Sequence, residues 1–422
     1  MSVAENKNKI EILVLGAGVV GVAAAYYLAR RGHQVTVIDR QEGVGLETSF
    51  ANGGQISTGH EPWANPSTPL KALKWLGRDD APLLYRLHAD PALWSWSLRF
   101  LAECLPGRTR LNAARTLRLA LYSRKALAEL RAETAIAYDQ LTGGILHVYR
   151  EAREYRRALK QAELMSGAGC ERLPVDAAGC VALEPALAVA PALAGGIHIP
   201  GDESGDAYKF TARLAEISAG LGVNFLHGVT VKRIHADGGR ISGVETDKGM
   251  YRADVFVLAI GSYGALLVRP LGIRLPVYPV KGYSVTIPVN DRSRAPMLSI
   301  THDELKLVYS RLGDRLRAAG TAEFAGYDTS VNKTRARSIL DAALELFPGC
   351  GDAAQAEFWA GLRPATPDGA PIIGPAKYPN LFFNTGHGAL GWTLACGSGR
   401  VLADLVSGRR PEIDISGLGL ER

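Results

Sequence analysis

Apolar and polar positions change rhythm several times along this chain. Ile10-Glu11-Ile12-Leu13-Val14-Leu15 is a short β-branched-rich run, and an alanine-rich run of helical spacing follows three glycines and ends near Arg30-Arg31-Gly32. A second strand, Gln34 to Ile38, comes next. Further along, Leu111 to Arg131 reads as one amphipathic helix with its Arg and Lys outward. Gly143 to Tyr149 and Gly195 to Pro200 read as strands bracketing a helical section, which leaves His198 as a strand-face residue. A helix from about Phe210 to Gly220 precedes strands at Val223–Leu226, Val229–Ile234 and Ile241–Thr246. Val255 to Ile260 is apolar at every position, as expected of a parallel strand buried on both faces. Pro276 to Val285 and a hairpin from Leu307 to Ala318, turning at Gly313-Asp314, read as antiparallel β of a second domain. The chain ends with strand Leu381 to Asn384 and helix Trp392 to Ser407, and no internal repeat is visible.

The chain has 422 residues, 47% hydrophobic and 21% charged, which excludes a disordered or fibrous protein and suggests roughly two to three domains. A net charge of +6 suits an anionic surface or acidic substrates, but the basic residues are scattered, so nucleic acid is not an expected partner. Five cysteines, Cys104, Cys170, Cys180, Cys350 and Cys396, form no C-x-x-C pair. Neither a disulfide framework nor a metal site is expected, and the thiols should be buried in a reducing, cytoplasmic compartment. The uncharged stretch Ile12 to Ala29 follows Lys7 and Lys9 and could pass for a signal peptide. Its three glycines and the strand after it argue instead for a strand, turn and helix.

That turn reads Gly16-Ala17-Gly18-Val19-Val20-Gly21, and Asp39 ends the next strand 18 positions after Gly21, near the spacing of about 20 in a dinucleotide fold. Gly16 allows the tight turn, Gly18 lets a pyrophosphate approach, and Gly21 lets helix and strand pack closely. The helix N-terminus offers unpaired N–H groups to the phosphates. Asp39 can accept both ribose hydroxyls and would repel a 2′-phosphate. The motif alone does not separate NAD from FAD. Glu47 to Ser57, a small, polar, glycine-rich loop where a nicotinamide fold would normally start a helix, favours FAD; the plainer reading is a surface loop.

Residues 66–105 hold Trp75, Trp94 and Trp96 among Lys71, Lys74, Arg78, Arg86 and Arg99, with Trp63 just before them. Such a segment suits a bilayer interface or plain packing. Near the C-terminus, Gly361-Leu362-Arg363-Pro364 to Gly374 precedes Gly386-His387-Gly388-Ala389-Leu390-Gly391, a glycine run opening a helix and the second half of a cofactor site.

Together with Glu47-Thr48-Ser49, Asn52-x-Gly54-Gln55-Ile56-Ser57, Pro69-Leu70-Lys71-Ala72-x-Lys74-Trp75, Val277-Tyr278-Pro279-x-Lys281-Gly282-Tyr283-Ser284 and Asn384 to Thr393, these motifs resemble the FAD-dependent D-amino acid oxidase superfamily. Within it, they are similar to the bacterial D-amino acid dehydrogenase small-subunit family over nearly the whole chain. Gly59-His60-Glu61 and Ser310-Arg311 depart from the family's Gly-Tyr and Thr-Arg, which bears on side-chain preference if His60 lines the substrate cavity. The resemblance implies an α/β fold: a Rossmann-like FAD-binding domain (1–60, 205–265 and 359–422) and a discontinuous α+β substrate domain (61–204 and 266–358).

It further implies oxidative deamination of D-amino acids to 2-oxo acids and ammonia, with electrons passing to a quinone or another non-oxygen acceptor at the inner face of the cell membrane. The alternatives are a dioxygen-using oxidase of the glycine, sarcosine or proline type, and an auxiliary flavoprotein subunit of a larger amine or opine dehydrogenase. FAD is expected against Gly16, Gly18, Val19, Val20, Gly21, Asp39, Arg40, Thr48, Ser49, Asn52, Gly53, Gly54, Gln55, Ile56, Val231, Gly261, Gly361, Gly388, Leu390, Gly391, Trp392 and Thr393. Arg363 is the expected carboxylate anchor, because a guanidinium grips a carboxylate with two parallel bonds; the plainer reading is a structural arginine. Tyr283, His387 and His60 are candidate bases toward the substrate amine, Lys281 is a candidate flavin neighbour, and the amine can also lose its proton to solution.

Overall fold

The computed structural model describes residues 9–59, 62–75, 81–86, 89–166 and 169–422. One six-stranded sheet runs Ile372–Pro375, Leu381–Thr385, Val255–Leu258, Glu11–Leu15, Gln34–Ile38, Asn224–Leu226, parallel except at the Ile372–Pro375 edge. Its strands are apolar at successive positions because both faces are covered. Ile12 and Val14 enter a core with the helices Val19–Arg30 and Gly391–Val406. Leu13, Leu15, Phe256 and Leu258 enter a second core beneath a three-stranded sheet, Val231–Asp237, Arg240–Thr246 and Gly249–Tyr251.

The second layer is a nine-stranded sheet in the order Glu357–Ala365, Tyr278–Pro288, Arg315–Phe324, Leu307–Leu312, Ser299–His302, Ile145–Tyr149, Gly195–Ile199, Leu173–Val175, with Leu83–Tyr85 also paired to Arg315–Phe324. The helix Lys333–Leu346 covers one face through Ala336, Ile339, Leu340 and Ala343, against Tyr283, Val285 and Ile287. The expected hairpin at Gly313-Asp314 is present. The register between Tyr278–Pro288 and Arg315–Phe324 slips by one residue between Lys281 and Tyr283, a β-bulge.

Helices start where their caps dictate. Asp206 accepts the N–H groups of Tyr208 and Lys209 at 2.9 and 3.1 Å, so the expected 210–220 helix opens earlier, as Ala207–Gly220. Pro106 stands in the first turn of the long helix Pro106–Thr134, which overruns the expected 111–131 at both ends. This helix and the strand Glu357–Ala365 cut across the expected domain ranges. Leu119, Ala120, Ala126, Leu127 and Leu130 pack into the core of the parallel sheet, although the helix falls within 61–204. The strand, divided by a limit at 359, pairs along its length with Tyr278–Pro288. All five cysteines are buried and free.

Candidate cofactor and substrate site

A cleft of about 450 Å³ opens where the parallel strands end, lined from Gly16, Asp39, Gly261 and Thr385 across to Trp359–Leu362 on the large sheet. Its size falls in the range of ligand pockets, and the carboxyl ends of parallel strands are where such folds bind nucleotides. Gly16 holds φ at +106°, and a Cβ there would lie 2.6 Å from the Ala259 carbonyl. A Cβ on Gly21 would lie 1.9 Å from the Gly16 carbonyl, so both positions admit glycine alone. Gly18 caps the Val19–Arg30 helix with no side-chain bond, and Gly18, Val19 and Val20 line the cleft. Ser49 Oγ accepts the Val19 N–H at 3.0 Å, tying the polar loop to the helix start.

Asp39 accepts the Ala17 N–H at 2.7 Å on one oxygen and the Gln41 N–H at 2.8 Å on the other. Burial raises its carboxyl above the ordinary value, and those two N–H bonds pull the other way. Arg40 beside it pairs with Glu47 and lies 4.0 Å over the Tyr263 ring. Thr48 and Ser262 hydroxyls both donate to the Leu362 carbonyl, at 3.0 and 3.2 Å, fastening the two sheets together at the cleft.

Asn384 lines the cleft with both side-chain polar atoms buried and without a partner among the described residues, and Trp392 Nε1 is in the same condition. Orphaned polar groups in a cavity call for a ligand that satisfies them. With two helix N-termini, at Gly18 and Leu390, whose cap residues make no side-chain cap bond, and an acid at Asp39, the donor set fits FAD. Arg40, Thr48, Ser49, Asn52, Val231, Gly261, Gly361, Gly388 and Gly391 also line the cleft.

Seven other expected contacts do not. Gly21 packs the helix on the strand. Gly53, Gly54 and Gln55 dock on the large sheet instead: Ser310 Oγ donates to the Gly53 carbonyl at 2.8 Å, a Cβ on Gly54 would crowd Leu312 and Ser310 at 3.2 Å, and Gln55 Nε2 donates to Ser299 and Thr301. Ile56 is core, Thr393 Oγ1 accepts the Ser57 N–H at 3.1 Å, and Leu390 is buried beneath the second helix start.

Arg363 is not itself among the residues that line the cleft, although its chain neighbours Leu362 and Pro364 are. Its guanidinium crosses Gly282, where a Cβ would be 2.4 Å from Arg363 Cζ. Nη1 donates to the Thr321 carbonyl at 2.6 Å and Nη2 to the Gly320 carbonyl at 3.3 Å. Thr321 is the extra residue of the bulge and holds φ at +53°. No carboxylate pairs with Arg363 among the described residues, and desolvation lowers its pKa to about 10. Among the described residues its only hydrogen-bond partners are the carbonyls of Thr321 and Gly320.

Lys281 and Tyr283 point away from it. Alternation puts them on the opposite face of their strand from Gly282. Tyr283 donates to Glu323 and packs beneath the helix Lys333–Leu346; Lys281 Nζ donates to Asp328 at 2.8 Å and lies 3.7 Å from Glu323. Both are parts of a buried charge cluster that stands behind the bulge. His387 does line the cleft. Its Nε2 lies 3.1 Å from Ser398 Oγ, whose own proton goes to the Leu394 carbonyl, so Nε2 carries the ring proton. Burial pushes this imidazole down to about 3, which leaves it a poor proton acceptor. His60 lies outside the described residues. Sequence reasoning overlooked Tyr263, Thr321 and the unsatisfied Asn384: stacking over Arg40, a bulge and a missing partner are tertiary facts that leave no local signal.

The family profile of FAD-dependent oxidoreductases (DAO) matches residues 11–405. The chain is 60% identical over 416 residues to a D-amino acid dehydrogenase of Paramagnetospirillum magneticum, covering 98% of this chain and 99% of that one. It is 54% identical to the D-amino acid dehydrogenase of Dechloromonas aromatica, with 96% and 98% covered. Among solved structures, a glycine oxidase from Geobacillus kaustophilus is similar at TM-score 0.75 and 25% identity over 99% of each chain. L-proline dehydrogenase from P. horikoshii shares the fold at TM-score 0.76 and 19% identity over 98% of each.

Proposed function

The chain belongs to the DAO family of FAD-dependent oxidoreductases, and on that premise we propose that it oxidises D-amino acids as a dehydrogenase. The observation that carries the reading is Arg363, a desolvated guanidinium next in the chain to residues of the FAD cleft and without an acid among the described residues. FAD, held by the Gly16–Gly18 turn, Asp39 and the 384–392 segment, would supply a two-electron acceptor for the substrate Cα hydride, and water would hydrolyse the resulting imino acid to a 2-oxo acid and ammonia. Arg363 grips the substrate carboxylate with its free N–H groups and fixes the Cα position. The bulge carbonyls of Gly320 and Thr321 orient that guanidinium in advance. His387 stays neutral, Lys281 and Tyr283 hold the scaffold, and the substrate amine gives its proton to water.

The names of the relatives support a non-oxygen acceptor, and a quinone in the bilayer is the acceptor we propose. Among the described residues no helix is long and apolar enough to cross a membrane. The helices Thr68–Trp75 and Pro91–Glu103 leave Leu70, Leu73, Trp94, Leu98 and Leu101 at least half exposed, with Lys74 and Arg99 alongside. That surface suits peripheral seating on anionic lipid. Sedimentation with phosphatidylglycerol vesicles tests it: the chain should pellet and Leu98→Glu should not.

For the activity, D- and L-amino acids are added to the flavin-loaded chain without oxygen. Loss of the flavin's visible band with D substrates alone supports the reading, and no loss with any amino acid refutes it. The likeness to a glycine oxidase supports a second reading, an oxidase, which peroxide release in air would favour.

A further inference from the structure

Arg363 has a second neighbour that no motif singles out. Trp63 stands with its ring centroid 5.9 Å from Arg363 Cζ, in reach of a cation–π contact. The indole is held from several directions. It packs beside Trp96, Tyr278 and Phe324, and the backbone carbonyl of Trp63 accepts the Thr68 hydroxyl at 2.7 Å. Asn65 Nδ2 donates to the Pro62 carbonyl at 2.9 Å, and Thr109 Oγ1 reaches back to the Ala64 carbonyl at 3.0 Å. A short surface turn, itself of little core value, is thus fastened so that one aromatic face meets the guanidinium.

We propose that Trp63 walls the carboxylate subsite: lying over Arg363, it keeps water off the guanidinium and holds it for the substrate carboxylate. Two observations carry this. The Trp63 ring lies over the Arg363 guanidinium, which meets no carboxylate among the described residues and whose pKa burial lowers. Its bonds to Thr321 and Gly320 fix one edge of the fork, Gly282 lies against the guanidinium, and the Trp63 ring stands over it. In a water-poor setting both the stacking and the carboxylate bonds strengthen. Trp63 acts through Arg363 and is a positioning residue.

The proposal rests on Arg363 as the carboxylate anchor, so the test uses propionate, a carboxylate that binds without reacting. Propionate binding is followed by the shift of the flavin spectrum in the FAD-loaded chain, alongside KM and kcat for D-alanine. Trp63→Ala should weaken propionate about tenfold, raise KM far more than it changes kcat, and make propionate affinity newly sensitive to salt as solvent reaches Arg363. Trp63→Phe should restore most of the loss. Propionate affinity within about twofold of the parent in Trp63→Ala, or a loss that Phe does not rescue, overturns the proposal. Propionate binding that ignores Arg363→Met overturns it too. A parent chain that binds propionate through Arg363 yet oxidises no D-amino acid would sink the activity and leave this inference standing.

Discussion

Arg363 donates to the carbonyl of Thr321 at 2.6 Å, and Thr321 holds a backbone φ of +53°, a left-handed conformation that a β-branched residue adopts only when its surroundings impose it. Here the one-residue register slip imposes it, and the carbonyl so turned meets the guanidinium. Loss of the fork should therefore cost more than loss of charge. Arg363→Lys keeps a cation but gives up the planar donors, and kcat/KM for D-alanine should fall roughly 10- to 150-fold, the equivalent of about 1.5–3 kcal/mol for charge-assisted hydrogen bonds. Steady-state kinetics of the flavin-loaded variant checks this, and Arg363→Met should lose at least as much.

The glycines of the first turn separate folding from cofactor binding. A Cβ at Gly21 would sit 1.9 Å from a backbone carbonyl, whereas one at Gly18 would meet only Ser49 Oγ at an ordinary 3.5 Å. Gly21→Ala should therefore lower thermal stability sharply or prevent folding. Gly18→Ala should fold with a melting temperature close to the parent apoprotein and lose flavin on gel filtration, because its methyl occupies the approach of the pyrophosphate. Absorbance of the flavin band relative to protein distinguishes the two.

Behind the bulge, Glu323 is buried and accepts hydrogen bonds from Tyr283 and from Arg86 Nε at 2.6 Å, with Lys281 nearby. Burial works to raise its carboxyl, but those partners hold it below the ordinary carboxylate value. A depressed acid lends stability above its unfolded pKa and loses it as pH falls through the folded one. Glu323→Gln should lower the melting temperature at neutral pH, since it removes the buried negative charge that faces Lys281 and Arg86 and accepts the Tyr283 hydroxyl. The gap to the parent should narrow as pH drops below about 4.5, an effect read from thermal unfolding between neutral and acid pH.

How much of this was legible beforehand depended on whether a feature is local. Gly16, Gly21 and Asp39 announce a nucleotide fold because turn, close packing and acid are each set by a few consecutive residues, and all three stand where the spacing puts them. The hairpin at Gly313-Asp314 and the helix starting beside Asp206 are local in the same sense. Lys281 and Tyr283 misled because strand periodicity says that they alternate with Gly282 without saying which face meets the cleft. Only the packing of helix Lys333–Leu346 against Tyr283 decides that. The helix Pro106–Thr134 could likewise not be placed from sequence: its apolar stripe specifies burial, and the parallel sheet it covers is built from strands distant in the chain.

The last prediction concerns protons. His387 lies in the cleft, but burial lowers its pKa to about 3, and its Nε2 proton is engaged with Ser398. A histidine whose folded pKa is depressed favours the neutral form; the stability this contributes is present above the unfolded pKa, near 6.5, and is lost as pH falls through that range toward 3. Across pH 5 to 8 it does not titrate in the folded chain, so no break in kcat/KM should arise from it. The profile should instead rise toward alkaline pH with the free amine of the substrate, and its midpoint should move when D-amino acids of different amine pKa are compared. His387→Asn should keep the shape of that profile and lose less stability than the parent as pH falls below 6.5. An apparent pKa near 6.5 that disappears in His387→Asn would show instead that this imidazole takes the proton, and would return it to the catalytic machinery.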